Sequence, residues 1–347
     1  MKDMKFINNI KKNEDNISFD LNNNSKEIKI SLANAIRRTI ISDIETYIID
    51  PNKVVFYENN SILNNEFLKH RISLIPVISD IENIDYENII IECKKNNDDE
   101  NIMSVYVSDF VCKDEKTGEI IDNSKLFKYP KILFAKLKLN QYISLEGKLT
   151  KNNPTNGNDS SYMAVSKCVY TFKIDQKEVK SITNNMSKEE KTSFLTQENE
   201  RVYERNEIGD PNIYEFIIDS IGFYEPLKII HKGFDYLMKH LENVKNEFLN
   251  TKSNIVQHIE SEDLISDFYD FLMDNENDTI GNLLTSYLMS NSKVNYCGYV
   301  IKHPLRKNIV LRIKLNEENT LDKNVEVIIK MIDYIIDLLT KINKELK

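Results

Sequence analysis

The chain contains 347 residues, of which 46 are Lys or Arg and 55 are Asp or Glu, giving a formal net charge of −9. Hydrophobic residues make up 41% of the chain, which supports folded cores in two or three domains and excludes a collagen-like or wholly disordered protein. Because non-specific binding to DNA or RNA depends on Lys and Arg neutralising phosphates, the acidic balance predicts no strong direct nucleic-acid binding.

The sequence lacks the patterns that signal a membrane, metal or catalytic site. No run approaches 18 apolar residues and the N-terminal segment is charged from its second residue, which predicts a soluble intracellular protein without membrane contact. Phosphate-binding glycine loops and the zinc-protease and serine-hydrolase motifs are missing. The cysteines are too widely spaced for a zinc-type cluster, which predicts free thiols at Cys93, Cys112, Cys168 and Cys297. We therefore expect no catalytic residue, no metal and no cofactor.

The first predicted helix covers residues 31–44 and ends before the Asp50–Pro51 step, because a residue before proline avoids the helical region. The hydroxyl of Ser31 is its predicted N-cap. Its apolar stripe repeats every four residues and consists of Leu32, Ile36, Ile40 and Ile44. The opposite side is polar and carries Asn34 and Arg38, while Arg37 flanks the stripe.

Strand-like segments lie on both sides of this helix. Alternating or β-branched apolar residues predict strands over residues 26–30, 54–57, 89–93, 102–107, 131–139, 168–172, 214–220, 267–273, 295–301 and 308–315. Polar composition predicts a loop over 151–161 and a mobile connection with helical character over 177–210.

Three further helices are predicted towards the C-terminus. They cover residues 226–250, a segment that begins at 279, and residues 325–346, each with apolar residues every three or four positions. Pro226 suits the first position of its helix, whereas Gly233 costs that helix about 1 kcal/mol relative to Ala. The last helix has near-heptad spacing, which favours packing against other helices.

An internal repeat relates the first and third helices. Residues 31–36 (SLANAI) align without a gap to residues 279–284 (TIGNLL), and each copy begins with a hydroxyl residue and carries Asn in fourth place. This repeat predicts two related units whose four helices pack as a pseudo-twofold pair. The predicted core of the pair consists of Leu32, Ile36, Ile40, Leu283, Leu284, Leu288, Ile332 and Leu339. In the alternative, each helix covers only its own sheet in a separate domain.

Three segments carry a family resemblance. Residues 32–44 (LANAIRRTIISDI) resemble the first-helix signature of the alpha-like subunits of multisubunit RNA polymerases, which include bacterial alpha, archaeal D and the eukaryotic third-largest subunit. Residues 67–76 (FLKHRISLIP) resemble that family's second signature, within its inserted subdomain. Residues 279–284, with Gly298–Tyr299 and His303–Leu305, resemble the small archaeal L-type subunit and its eukaryotic counterparts.

The resemblance implies an α+β fold. Two alpha-like dimerisation units in one chain would form an intramolecular pseudo-heterodimer, with a mainly β insert subdomain in the first unit. The D-like subdomain would occupy 1–50 and 206–252, the insert 51–205 and the L-like domain 253–347. Such fusions are a feature of polymerases from large nucleocytoplasmic DNA viruses, and the Asn-, Ile- and Lys-rich composition suits an AT-rich genome of that kind.

The resemblance also implies a non-catalytic assembly platform of a DNA-directed RNA polymerase, which recruits the second-largest and then the largest catalytic subunit. Small polymerase subunits are further implied partners. The complex would be intracellular, in the host cytoplasm and in the virion if the source is viral. Motif matches imply the subunit-interface residues Asn34, Arg37, Arg38, His70 and Arg71.

The same residues also have purely structural interpretations, and the chain has alternative functions. Two guanidiniums suit partner carboxylates or carbonyls, but Arg37 and Arg38 could equally be solvated. His70 could be a purely structural residue. A stand-alone interaction scaffold, or an enzyme with its site in the insert, are the alternatives to a polymerase subunit.

Overall fold

The computed structural model describes residues 5–23, 25–81, 84–250, 253–259 and 267–346. Its strands are β1 (Ile7–Lys12), β2 (Asn16–Asn22), β3 (Thr46–Ile49), β4 (Val55–Asn59), β5 (Ile89–Asn97), β6 (Met103–Tyr106), β7 (Val111–Asp114), β8 (Ile120–Ile121), β9 (Leu133–Leu137), β10 (Gln141–Asn152), β11 (Val165–Phe172), β12 (Ile213–Ser220), β13 (Val256–Ile259), β14 (Tyr269–Asp274), β15 (Val294–Val300) and β16 (Asn308–Leu315). Its helices are α1 (Ile30–Ser42), α2 (Asn65–Ser73), α3 (Asn123–Leu126), α4 (Pro154–Gly157), α5 (Gln176–Thr183), α6 (Lys188–Gln197), α7 (Pro226–Leu249), α8 (Asp278–Leu288) and α9 (Leu321–Glu345). Three of the predicted domain limits, residues 1, 252 and 347, lie outside the described residues.

Two four-stranded antiparallel sheets have the same topology. One has the order β1-β2-β12-β11 and the other the order β13-β14-β16-β15. In each sheet, counted along the chain, one helix follows the second strand and a long helix follows the fourth strand. The first unit therefore consists of β1, β2, α1, β11, β12 and α7. The second unit consists of β13–β16, α8 and α9. The two units confirm the predicted α+β class, and α1 and α8 begin at matching positions of the gap-free alignment.

The helices of the two units pack against one another in antiparallel pairs. Near one end of the α1–α8 pair, Arg38 Nε donates to Thr279 Oγ1 at 2.7 Å, and at the other end Lys29 Nζ bonds to Ser290. The α7–α9 pair is joined by Lys245 Nζ and Asp333 Oδ1, which are 2.5 Å apart. One buried cluster contains every predicted core residue: Leu32, Ile36, Ile40, Leu283, Leu284, Leu288, Ile332 and Leu339. The four helices therefore share one core and do not cover separate domains.

A second core belongs to the insert, which runs from β3 to β10. Its main sheet has the order β3-β10-β5-β7-β8, with β4 also paired to β10, and β6 pairs with β9. The predicted insert range of 51–205 differs from the structure at both ends. Strand β3, before residue 51, pairs with β10 in the insert sheet, whereas β11 pairs with β12 and belongs to the first sheet. The side chains explain this placement, since Tyr170 and Phe172 pack against Tyr214 with ring centroids 5.8 and 5.7 Å apart.

The polar connection between β11 and β12 is helical, as its composition indicated. Asp175 accepts from the first amides of α5, and Ser187 and Glu190 form a reciprocal capping box at the start of α6. Helix α6 has no buried residue. Helix α6 therefore depends on its local caps more than on packing, whereas α5 buries Val179 and Thr183.

Three local predictions are wrong, two of them for identifiable reasons. Residues 26–29 do not form a strand but an irregular segment that leads into α1. The buried Asn23 fixes this segment, because it accepts from the amide of Ile28 at 2.9 Å and donates to the carbonyl of Pro211 at 3.2 Å. Ser31 is not an N-cap, since α1 begins one residue earlier and Lys29 occupies the cap position without a side-chain bond. The predicted loop at 151–161 begins with the end of β10 and contains α4.

Gly233 has a packing role that helix propensity conceals. A Cβ at this position would lie 2.6 Å from Cγ1 of Ile40, so the glycine lets α7 approach α1. We expect Gly233→Ala to lower the free energy of unfolding by about 1–3 kcal/mol, because the added methyl group overpacks the contact with Ile40. In an isolated helix the same change would have the opposite effect and stabilise the helix by roughly 1 kcal/mol. Urea denaturation of both chains measures the difference. In the Ile40→Ala background the penalty should disappear, whereas a stabilising Gly233→Ala would contradict this packing argument.

Candidate subunit-interaction surface

The polar side of α1 carries a fixed guanidinium. Asn34 Oδ1 accepts from Nε of Arg37 at 3.1 Å and from its Nη2 at 2.9 Å, one helical turn apart. Both side chains are half-buried. Because the two bonds fix the plane of the guanidinium, Arg37 presents a preorganised donor group to any acceptor that approaches this side of the helix.

Arg38 lies at the seam between the two units. Its Nε donates to Thr279 in the first turn of α8, and its charge acts on Asp43 at the end of α1. The side chain is half-buried. Arg38 is therefore part of the contact between α1 and α8, a position that the sequence did not indicate.

The two predicted residues of the insert have different environments on α2. Arg71 donates from Nε to the carbonyl of Phe134 at 2.9 Å and from Nη2 to that of Leu133 at 2.6 Å, which ties α2 to β9. His70 is exposed. The structure thus gives Arg71 a contact inside the insert and leaves the ring of His70 at the surface.

The outer face of α2 also exposes apolar side chains. Phe67 and Leu74 are 62% and 48% exposed, and with His70 and Arg71 they follow the helical spacing i, i+3, i+4, i+7. Sequence reasoning named the two basic residues and missed the two apolar ones, although the spacing was visible. Exposed apolar groups rimmed by polar ones are typical of protein contact sites. We call Phe67, His70, Arg71 and Leu74 the α2 face.

A group of titratable side chains lies where α1, α7 and the segment before α8 meet. His240 Nε2 is 3.0 Å from Glu276 Oε2, and Asp43 accepts from Thr155 Oγ1 at 2.8 Å. A groove of about 460 Å³ runs beside them, with Tyr236 and Lys151 among its lining residues. Sequence reasoning did not find this group, because its members are separated by tens to hundreds of residues.

The four cysteines lie in the two hydrophobic cores and not on this surface. The four cysteines are buried free thiols, and burial raises the pKa of each to about 12, which disfavours thiolate ligands. Within the described ranges, no three His, Cys, Asp or Glu side chains are grouped so that they could hold a metal ion. Nor does any described helix combine the length and apolar character needed to cross a bilayer.

Comparison with known proteins yields two matches to family models. Residues 25–241 match a model described as the RNA polymerase Rpb3/Rpb11 dimerisation domain, and residues 269–345 match a second model with the same description. The first match covers both the polar side of α1 and the α2 face, and the second covers α8 and α9. Each unit of the fold thus has its own match.

Curated relatives are similar over a shorter stretch. The chain is 37% identical to the DNA-directed RNA polymerase subunit Rpo3 of Pyrococcus furiosus over 78 residues, which are 22% of this chain and 28% of that protein. It is 48% identical to the DNA-directed RNA polymerase II subunit rpb3 of Dictyostelium discoideum over 71 residues, 20% of this chain and 21% of that protein. The matched segments span about a quarter of the length of these relatives.

Proposed function

This chain belongs to the family of the RNA polymerase Rpb3/Rpb11 dimerisation domain, and from that premise we propose that it is a non-catalytic assembly platform of a multisubunit DNA-directed RNA polymerase. The observation that carries the proposal is the single core shared by α1, α7, α8 and α9. A dimerisation domain exists to pair with another, and here both partners lie in one chain. The platform is therefore already paired before any other subunit binds.

The proposed organisation follows the two units. A D-like part at 1–50 and 206–252 pairs with an L-like part at 253–347, and the insert lies between the two D-like segments. Strand β3 is reassigned to the insert sheet and β11 to the D-like sheet. The fusion of two subunits is part of the proposal, and a source in a large nucleocytoplasmic DNA virus stays a prediction.

Two surfaces are proposed to recruit the catalytic subunits. Asn34 and Arg37 form a preorganised polar contact on α1, which suits carboxylates or carbonyls of the second-largest subunit. The α2 face adds exposed apolar area next to a basic side chain, as expected of a contact with a second protein surface. The largest subunit then joins the complex that these contacts begin.

Two alternative functions are an interaction scaffold and an enzyme. An interaction scaffold outside transcription would use the same surfaces with other partners. An enzyme with its site in the insert would need a nucleophile, a base and a stabilising donor within reach of one another. The family match favours the polymerase subunit over both.

Affinity purification of the tagged full chain from its native cell, followed by mass spectrometry, tests the proposal. We expect two very large polymerase subunits to co-purify in stoichiometric amounts. Purification of unrelated proteins in their place would support the scaffold alternative. RNA synthesis by the purified chain alone would contradict the non-catalytic role.

A further inference from the structure

One imidazole joins the two units where α1, α7 and the segment before α8 meet. His240, on α7 of the first unit, has its Nε2 atom 3.0 Å from Oε2 of Glu276, in the segment that leads into α8 of the second unit. The side chain of Glu276 is 7% exposed and that of His240 is 31% exposed. The carboxylate is therefore nearly removed from water, and within the described part of the chain the imidazole is its cationic partner at ion-pair distance.

A second carboxylate acts electrostatically on the same imidazole. Asp43 follows the last residue of α1, accepts from Thr155 Oγ1 at 2.8 Å and interacts electrostatically with His240, Arg38 and Glu276. Burial raises the pKa of Asp43, the Thr155 bond and the two cations lower it, and the net pKa lies above its ordinary value. The negative charges of Asp43 and Glu276 thus both favour a cationic His240.

The other charged groups at this junction already have partners or lie towards the groove. Lys151, at the end of β10, pairs with Glu45 at 2.7 Å, and Arg38 of α1 uses its Nε on Thr279. On α7 itself, Tyr236 stacks on His240 with ring centroids 6.1 Å apart, while Asp235 and Lys239 line the groove. The charge of His240 is the variable one near neutral pH, because histidine is the side chain whose ordinary pKa lies in that range.

The balance at His240 favours the imidazolium. Burial lowers its pKa, but the hydrogen bond and charge of Glu276 and the charge of Asp43 raise it by more, so the pKa lies above the ordinary 6.5. A group whose pKa is raised by folding stabilises the folded state when it is protonated. This stabilisation is complete at pH values below the unfolded-state pKa of 6.5 and is lost as the pH rises through the folded-state pKa.

We propose that protonated His240 is a pH-sensitive lock that holds the two units together through its ion pair with Glu276, with the negative charge of Asp43 favouring the same proton. Loss of the proton leaves Glu276 buried and without its cation. The seam between α7 and the start of α8 then weakens. This inference goes beyond the proposed assembly role and holds whether or not that role is correct.

Histidine NMR and thermal denaturation of the full chain test the lock. We expect the ring of His240, assigned with the His240→Gln variant, to titrate above pH 6.5, and to titrate lower in Glu276→Gln. We also expect the Tm of the unmodified chain to fall by several degrees between pH 6 and pH 8.5, and the Tm of His240→Gln to change less over this range. His240→Lys, which keeps a cation at both pH values, should retain the low-pH stability and flatten the curve.

His231→Gln is the matched control. His231 also lies on α7 and also reaches the second unit, but its Nδ1 contacts the neutral amide of Asn343, 2.7 Å away. Its replacement should leave the pH dependence of Tm unchanged. The lock is refuted if His240 titrates at or below 6.5, or if His240→Gln keeps the full pH dependence. Should His240→Gln fail to fold, the titration of His240 in the unmodified chain and in Glu276→Gln decides the question.

Discussion

Leu284→Asp is expected to unfold the chain. Leu284 is fully buried in α8, inside the core that both units share. Loss of the leucine side chain alone costs about 2–5 kcal/mol. The carboxylate adds the cost of a buried charge without a partner, so the total reaches a large part of the 5–15 kcal/mol that stabilises a typical domain. Ile332→Asp, at an equally buried position of α9, should behave in the same way.

Circular dichroism and size-exclusion chromatography measure this effect, and Asn282→Asp provides its control. Asn282 is exposed on the same helix, two residues away, so this variant introduces the same charge without burying it. We expect Asn282→Asp to keep the melting curve of the unmodified chain. A folded, cooperatively melting Leu284→Asp protein would show that the two units do not depend on a common core.

Arg37→Glu combined with Arg38→Glu should leave the chain folded but unable to capture the second-largest polymerase subunit. The two changes replace the preorganised Arg37 guanidinium and the Arg38 guanidinium beside α8 by carboxylates, which would repel carboxylates of the partner. Breaking a buried charge-assisted contact typically costs 2–5 kcal/mol, so binding should weaken by about 30-fold or more. A pull-down with the second-largest subunit, quantified over a concentration series, measures the loss.

Arg38 also donates a hydrogen bond to Thr279, so the double variant needs a control for the loss of this contact between α1 and α8. Thr279→Val removes the acceptor of that bond and leaves both guanidiniums in place. It should lower Tm slightly and keep full capture. Equal capture by the double variant and the unmodified chain would remove α1 from the recruiting surface, and equal loss in Thr279→Val would assign the effect to the seam.

The four helices of the two units, α1, α7, α8 and α9, could be predicted because their apolar residues follow a regular spacing. The stripes that contain Leu32 and Ile332 identified α1 and α9, and the repeat of 31–36 at 279–284 indicated the paired units before any contact was known. Strand β1 was missed because its sequence, INNIKK, is mostly polar, as suits an exposed edge strand. Strand β10 had a visible alternation of buried residues that was overlooked.

The site was predicted only in part, because its geometry depends on distant residues. The residues Asn34 and Arg37 are three positions apart, so their bond follows from helical spacing alone. The bond from Arg38 to Thr279 spans 241 positions, and the pair of His240 with Glu276 spans 36. Such contacts follow from the way the two units pack, which no local pattern specifies. For the same reason, helix propensity alone predicted that Gly233 destabilises α7, whereas its close contact with Ile40 of α1 could not be predicted.

The short link between the units has a consequence for how the pair forms. Helix α7 ends at Leu249 and β13 begins at Val256, so few residues separate the first unit from the second. A short tether holds its ends at an effective concentration on the order of millimolar. Docking of the units is then a first-order step whose rate and extent do not change on dilution. The stoichiometry is one to one by covalent linkage, so neither half can accumulate as an orphan with its apolar helices exposed.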